Sequence, residues 1–317
     1  MTAPLLRFPD RRFPVRRFPD QRSPDRRMPG AVLNDAALND AASPHAVIRD
    51  PLLAGPGFRG GAEPPALLGI GHGSRDARHA ASLRRLAAAV GYARPDIRVE
   101  VGFLDLCGPD VTTALGALAA SGARSVVVLP LFLAHGYHVR HDVPRAVADA
   151  RARIRRRSRD LPKVAISEPL GPDPLLSEAI DTRLREAGVW PTDPELGLVV
   201  ASAGSTDRAA VAQVEGVVRS WGTAVNAYAS ASAPTTAQAI AGLRARGLAD
   251  IAVASYFLAP GRLPDRVRAD ALAAGVPIAA PLTMPDAEPA AELVRLVLAR
   301  YESAALTACP AARSVAA

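Results

Sequence analysis

The sequence predicts an α/β protein of two similar lobes, each a parallel sheet flanked by helices, with a cleft between them. Three observations carry that expectation. From Ala66 onward, short apolar runs alternate strictly with Ala/Arg-rich segments of helical period, and strict β-α alternation makes parallel strands with helices on both faces. The units fall into two sets that resemble each other: Leu129–Gly136 (LPLFLAHG) is echoed by Ala254–Gly261 (ASYFLAPG), and VEVGFLDLCGPDVTTAL by AVNAYASASAPTTAQAI. The break VWPTDPE at 189–195 separates the sets, so a two-fold internal duplication is the natural architecture.

In chain order, strands are expected at 66–71, 97–104, 125–133, 163–167, 196–202, 224–229, 250–258 and 276–279. Helices are expected at 77–92, 110–121, 142–158, 174–187, 207–220, 235–246, 264–274 and 287–303. Asp142 before Val143-Pro144 reads as the N-cap of the third helix. Each crossover should be right-handed. The expected organisation is a disordered Arg/Pro-rich tail at 1–64, a first lobe at 65–190, a second lobe at 191–305 and a short tail at 306–317.

The chain has 317 residues, 49% of them apolar, enough for two modest domains with real cores. Aromatic residues make up only 4%, which argues against base-stacking platforms for nucleic acid. Lysines and arginines number 38 against 31 acidic residues, and Lys163 is the sole lysine. That bias toward Arg and Ala reflects genome composition more than a polyanionic partner, so neither nucleic acid nor membrane is expected as a partner. Cys107 and Cys309 are too few for a disulfide framework or a cysteine-only metal cluster. No apolar run reaches the roughly 18 residues of a membrane span, and the N-terminus lacks the apolar centre of a signal peptide. A cytoplasmic protein is expected.

Residues 7–29 repeat a five-residue unit of the form F/S-P-D/V-x-R. Proline every fifth residue forbids a helix, and the repeat has too little apolar surface to fold alone. Such a segment reads either as an upstream extension, with Met28 as one internal start, or as an Arg-rich arm for an acidic partner.

The chemistry concentrates at strand ends. LLGIGHGSR (67–75) is an apolar strand that stops at Gly71-His72-Gly73-Ser74, delivering one imidazole to the carboxyl edge of a sheet, where open α/β sheets place their ligands. PLFLAHGYH (130–138) brings His138 to a second strand end. Adjacent parallel strands lie about 4.8 Å apart, so His72 and His138 can share one ligand. Imidazole is both a neutral metal ligand and a proton carrier near neutral pH. Asp105, closing the second strand in FLDL, can reach the same rim. Two imidazoles and one carboxylate with open positions suit a loosely held first-row divalent metal, since a closed structural site wants four ligands.

The neighbouring histidines read differently. His141 falls in the first turn of a helix as a solvated residue, and His135 stands opposite Pro260 of the second set and is secondary. Ser74 and Arg75 begin the helix after the first strand, where free N–H groups and the helix dipole favour an anion. Ser74 either helps to seat such an anion or caps the helix. Arg262 and Arg266 face the same cleft from the second set, which suits a polyanionic ligand. The second set has Ala203 where the first has His72, and Leu263 where the first has His138. One asymmetric centre per chain follows. The nucleophile elbow G-x-S-x-G and the phosphate loop ending in G-K-[ST] are both absent, so hydrolase and nucleotide-binding readings lack support.

At GHGSR around His72, FLDLCGPD around Asp105 and PLFLAHGYHVRHDVP around His138, the chain resembles the sirohydrochlorin chelatases. These class II metal chelatases finish sirohaem and supply early cobalamin intermediates. The resemblance covers about 66–300 and is to the long, two-lobed form. The family pattern usually has Glu where Asp105 stands and a small residue or proline where His135 stands. The resemblance implies a chelatase-like fold working as a monomer, with a tetrapyrrole polycarboxylate in the cleft. It also implies a divalent metal as substrate (Fe²⁺ favoured, then Co²⁺, with Ni²⁺ chemically acceptable) and no organic cofactor. Metal is then held by His72, His138 and Asp105, and the tetrapyrrole met by Ser74, Arg75 and Arg262. Two rival readings are a non-catalytic metal or tetrapyrrole carrier and an Arg-rich nucleic-acid adaptor.

Overall fold

The computed structural model describes residues 63–156, 161–222 and 224–308, all within one unit of the chain, residues 44–317. The tail expected at 1–64 therefore lies outside the described residues apart from its last two positions. Strand β1 (Ala66–Gly71) is buried along its whole length. Its alternate side chains enter two cores: Leu67 joins Leu83 and Leu86, while Leu68 and Ile70 join Leu115 and Val143. A strand apolar on both faces belongs in the middle of a parallel sheet. Strands β2 (Val99–Phe103) and β3 (Ser125–Pro130) flank it and β4 (Lys163–Ile166) lies beyond β3, all parallel, in the order β2-β1-β3-β4. Helices α1 (Ala77–Ala93), α2 (Val111–Ala120) and α3 (Val143–Arg155) connect these strands.

After α4 (Pro174–Glu186) the pattern repeats. Strands β5 (Gly197–Ser202), β6 (Val225–Tyr228) and β7 (Ile251–Ser255) form a parallel sheet in the order β6-β5-β7, connected by α5 (Arg208–Val218) and α6 (Thr236–Ala245). Helix α7 (Arg262–Ala273) follows β7. The fourth strand expected at 276–279 shrinks to a single bridge between Val253 and Ile278, because Pro277 has no N–H to extend a ladder. In both sheets the chain leaves the first strand toward one neighbour and returns on its other side. The crevice outside the carboxyl ends of β1 and β3, and of β5 and β7, is the place such a topology leaves open for ligands.

The lobes do not divide at a single cut. Helix α8 (Ala291–Ala308) belongs by sequence to the second set, yet it packs on α1, β3, β4 and α4 of the first. Tyr301 donates from its hydroxyl to Pro65 O at 2.7 Å, and buried Arg94 reaches Glu302 at 2.9 Å. In return α4 packs against β7, and Arg183 on α4 donates to the carbonyls of Leu282 (3.0 Å) and Glu288 (2.7 Å). One apolar cluster consequently runs through both lobes and takes in Leu293, Val294, Val297 and Tyr301. Burying each such side chain is worth about 1.5–3 kcal/mol, so the exchanged helix welds the lobes together. It also continues to Ala308, where the sequence suggested a tail from 306. Among the described residues no helix is long and apolar enough to cross a membrane.

Candidate metal-binding cleft

The first imidazole is set by the turn after β1. Gly73 takes φ +95°, and a Cβ there would stand 1.8 Å from Asp105 O, so only glycine fits. Asp105 N donates to His72 O at 3.0 Å, closing the loop after β2 onto the loop after β1. Ser74 Oγ accepts from Asp76 N at 3.1 Å, and Asp76, not Ser74, is the N-cap of α1, accepting from Arg78 N at 3.0 Å. The second lobe repeats these devices: Gly204 has φ +80°, Ser230 N donates to Ala203 O at 3.0 Å, and Ser205 Oγ accepts from Asp207 N at 3.0 Å.

The second imidazole is set by a π-helical turn, His138–Asp142, which runs directly into α3. Asp142 is consequently not the N-cap the sequence suggested: its backbone is helical and its side chain makes no capping bond. The carboxylate instead lies 2.6 Å from His138 Nδ1. The i,i+4 spacing on the widened turn makes that contact. His72 Nδ1 lies 3.2 Å from Gly73 O. A proton on each Nδ1 serves both contacts and leaves both Nε2 lone pairs available, the arrangement in which an outer carboxylate or carbonyl orients a metal-binding histidine. The two rings meet edge to face with centroids 4.6 Å apart. His141, exposed, lies against Tyr137 with the two rings tilted and their centroids 4.6 Å apart.

His72 and His138 line a cavity of about 580 Å³ between the lobes, along with Ser74, His79, Tyr256 and Arg262. They also line a smaller cavity of about 390 Å³ with Asp105, Asp142, Arg145 and Asp149. The pair thus stands between a large, mostly apolar chamber and a small acidic one. Ion pairs cross between the lobes at two places related by the internal duplication: Arg78 to Asp265 at 2.5 Å and Arg140 to Asp207 at 2.5 Å. The bonds from Arg78 and from Arg140 hold the carboxyls of Asp76 and Asp207, respectively, below the usual carboxylate range. Tyr256 donates to Leu133 O (3.2 Å) and His135 N to Gln213 Oε1 (2.8 Å), two further links between the lobes.

Of the residues singled out from sequence, His72, His138, Ser74 and Arg262 come together on the large cavity. Arg75 is exposed and does not line it. Asp105 is not brought into a three-ligand set: among the described residues no three His, Cys, Asp or Glu side chains converge as a metal would require. Its carboxylate is used locally, where Oδ1 accepts from Leu106 N at 2.7 Å in a bend that gives Leu106 φ +67°. Arg266 spends its guanidinium on Ala229 O at 3.1 Å. Sequence reasoning missed His79, although it extends the buried stripe of α1 through Leu83, Leu86 and Val90 at helical spacing. Burial holds this imidazole below the usual histidine range, partly offset by a hydrogen bond to the Pro260 backbone.

Two parallel sheets with an exchanged helix, and a histidine pair facing a chamber between them, define a two-lobed chelatase fold. SirB from Bacillus subtilis, solved with Fe³⁺, superposes with a TM-score of 0.61 at 20% identity, covering 79% of this chain and 98% of that one. The cobalt complex of the sirohydrochlorin chelatase SirB from Bacillus subtilis subspecies spizizenii gives 0.57 at 20% identity over 76% and 95%. The CbiX family profile matches residues 66–187, from β1 through the end of α4. Sirohydrochlorin cobaltochelatase of Methanopyrus kandleri is 34% identical over 137 residues, 38% of this chain and 96% of that protein. Sirohydrochlorin ferrochelatase of Bacillus subtilis is 31% identical over 129 residues, 39% of this chain and 46% of that protein. The chain belongs to the CbiX family of sirohydrochlorin chelatases.

Proposed function

We propose that the protein inserts a divalent metal ion into sirohydrochlorin, with Fe²⁺ the physiological metal and sirohaem the product. The observation that carries this reading is the oriented pair His72 and His138, with ring centroids 4.6 Å apart, on the wall of a chamber of about 580 Å³. In this reading the two Nε2 atoms hold the incoming metal, Asp142 fixes the ring of His138, and the remaining coordination positions stay with water. Two neutral ligands bind a divalent ion loosely, which suits a protein that must surrender it. The tetrapyrrole occupies the chamber, with Arg262 and Ser74, which both line it, meeting its carboxylates and Arg75 at the entrance. A single chain supplies both walls, so a monomer suffices.

Iron is supported by architecture. The ferrochelatase relative is matched over 46% of its length, as expected if it too carries a second lobe beyond the match. The cobaltochelatase of Methanopyrus kandleri is matched over 96% and so has no room for one. The name of that more similar relative favours a second reading, Co²⁺ insertion, and affinity for two imidazoles does not discriminate among Fe²⁺, Co²⁺ and Ni²⁺. Absorbance of sirohydrochlorin incubated with the purified protein and each metal in turn tests both readings. Metallation above the spontaneous rate, abolished in His72→Ala and strongly reduced in His138→Ala, is the expected result. Rates unchanged in both variants refute the site, and binding without metallation establishes a carrier instead.

A further inference from the structure

Metal insertion by His72 and His138 leaves a chemical requirement that the pair does not meet. Two pyrrolic N–H protons must leave the macrocycle, and an imidazole whose lone pair is coordinated to a metal cannot receive one. Another base must face the chamber. Its other titratable groups do not serve. Burial and the bond to Glu215 push the Tyr228 phenol up to about 12, and burial raises Tyr256 as well, so both stay protonated. Arg262 is a permanent cation.

His79 remains. It sits in the first turn of α1, lines the chamber, and its Nε2 is buried without any hydrogen-bond partner. With one nitrogen committed to the Pro260 backbone, the ring is a neutral imidazole whose second nitrogen offers an unused lone pair. A buried acceptor left without a donor calls for an explanation, and a ligand N–H entering the chamber supplies one. A packing role does not explain the residue. Its counterpart in the duplicated lobe is Ala210, at the same place after Asp207 as His79 after Asp76, and Ala210 lines the same chamber. The scaffold needs no imidazole there. All three cavity histidines therefore belong to the first lobe.

We propose that His79 is the catalytic base that takes the first pyrrolic proton during metal insertion, an inference that rests on the chelatase reading above. The N–H bond of one pyrrole breaks, its electron pair stays on the ring nitrogen, and the proton passes to His79 Nε2, giving imidazolium. The ring nitrogens then displace the metal's imidazole ligands. The second proton goes to whichever of His72 or His138 has released the metal. Charge balances: the uncharged four-nitrogen core of the macrocycle and a dication become an uncharged metallated core and two imidazolium groups, the peripheral carboxylates being unchanged. The groups that bias the proton on His79 are His72 at the end of β1 and Asp76 at its own helix N-cap, while the second lobe contributes the uncharged Pro260 backbone.

The test uses the full chain, sirohydrochlorin and Co²⁺. His79→Gln keeps a side-chain donor for Pro260 but loses the basic nitrogen, and kcat for metallation should fall roughly a hundred-fold or more. Co²⁺ affinity, measured calorimetrically without tetrapyrrole, should stay within about two-fold of wild type, in contrast to His72→Ala. His79→Ala, which installs the residue its counterpart already has, should fold normally and regain part of its rate with added imidazole. If wild type metallates and His79→Gln keeps its kcat, or loses Co²⁺ as His72→Ala does, the base assignment is overturned alone. If wild type does not metallate, the chelatase reading falls and takes this inference with it.

Discussion

The internal duplication provides a controlled test of how the fold aims His72. Gly73 and Gly204 occupy equivalent turns, at φ +95° and +80°, each jammed against a backbone carbonyl: a Cβ would stand 1.8 Å from Asp105 O in one case and 2.0 Å from Ser230 O in the other. An ordinary contact needs about 3.4 Å, so Gly→Ala must part the two loops by roughly 1.5 Å at either site. The left-handed backbone costs an alanine about 1–2 kcal/mol. Parting the loops also loses the bond from Asp105 N to His72 O, or from Ser230 N to Ala203 O, both 3.0 Å, at about 1 kcal/mol each. With residual strain, each substitution should destabilise by about 3–4 kcal/mol, or about 10 °C in Tm for a domain of this size.

The two variants should then part company. In Gly73→Ala the retreating loop carries His72 away from His138, and a metal site tolerates only about 0.2 Å of error in ligand distance. Co²⁺ affinity should fall at least ten-fold. In Gly204→Ala the displaced residue is Ala203, which has no lone pair to misplace, so Co²⁺ affinity should hold. Calorimetric melts and Co²⁺ titrations of both variants, below their transitions, measure the two effects separately. Equal loss of Co²⁺ in both, or none in either, refutes the argument that this turn exists to aim an imidazole.

Three further outcomes follow from particular contacts. Asp142→Ala removes the carboxylate 2.6 Å from His138 Nδ1 and should weaken Co²⁺ binding about 10- to 100-fold, with Asp142→Asn milder because an acceptor oxygen remains; calorimetric titration with Co²⁺ checks both. The ties from Arg78 to Asp265 and from Arg140 to Asp207 are half-exposed, so replacing both arginines by Met should lower Tm slightly in 10 mM salt and not at all in 1 M, where screening is nearly complete. Asp181 accepts from Trp221 Nε1 at 2.8 Å, and burial raises its carboxyl above the usual range, partly offset by that bond. The folded state therefore holds the proton more tightly than the unfolded chain, and ionisation opposes folding. Asp181→Asn keeps the acceptor, so its stability relative to wild type should rise as pH climbs above the ordinary carboxylate range and level off above the raised folded value; urea melts at pH 3.5 and 7.5 show whether it does.

How much of this was legible in the sequence depends on whether the deciding interaction is local. Strict alternation and the echoed segments are local patterns, and they predicted two parallel sheets and the placing of His72 and His138. The destination of α8 is not local. Its apolar stripe would serve equally on either sheet, and the choice is made by partners such as Pro65, Arg94 and Asp173, the last taking Arg300 at 2.8 Å. Asp105 stands at the end of β2, as its place in FLDL predicts, and lines the smaller cavity with both histidines; the bond that its Oδ1 accepts from Leu106 N belongs to a bend that the sequence does not announce. Asp142 before Val-Pro predicts an N-cap, but the π turn that leads into α3 holds Asp142 in helical backbone, which only the folded chain shows. On a stripe with Leu83 and Leu86, His79 counts as a packing residue. Its unpartnered Nε2 beside a chamber distinguishes it in the fold, and Ala210 at the equivalent place in the second lobe distinguishes it in the sequence. In each case the sequence says where a donor atom stands, while its chemistry turns on whether a neighbour has already used its lone pair, and that is fixed only when the chain has folded.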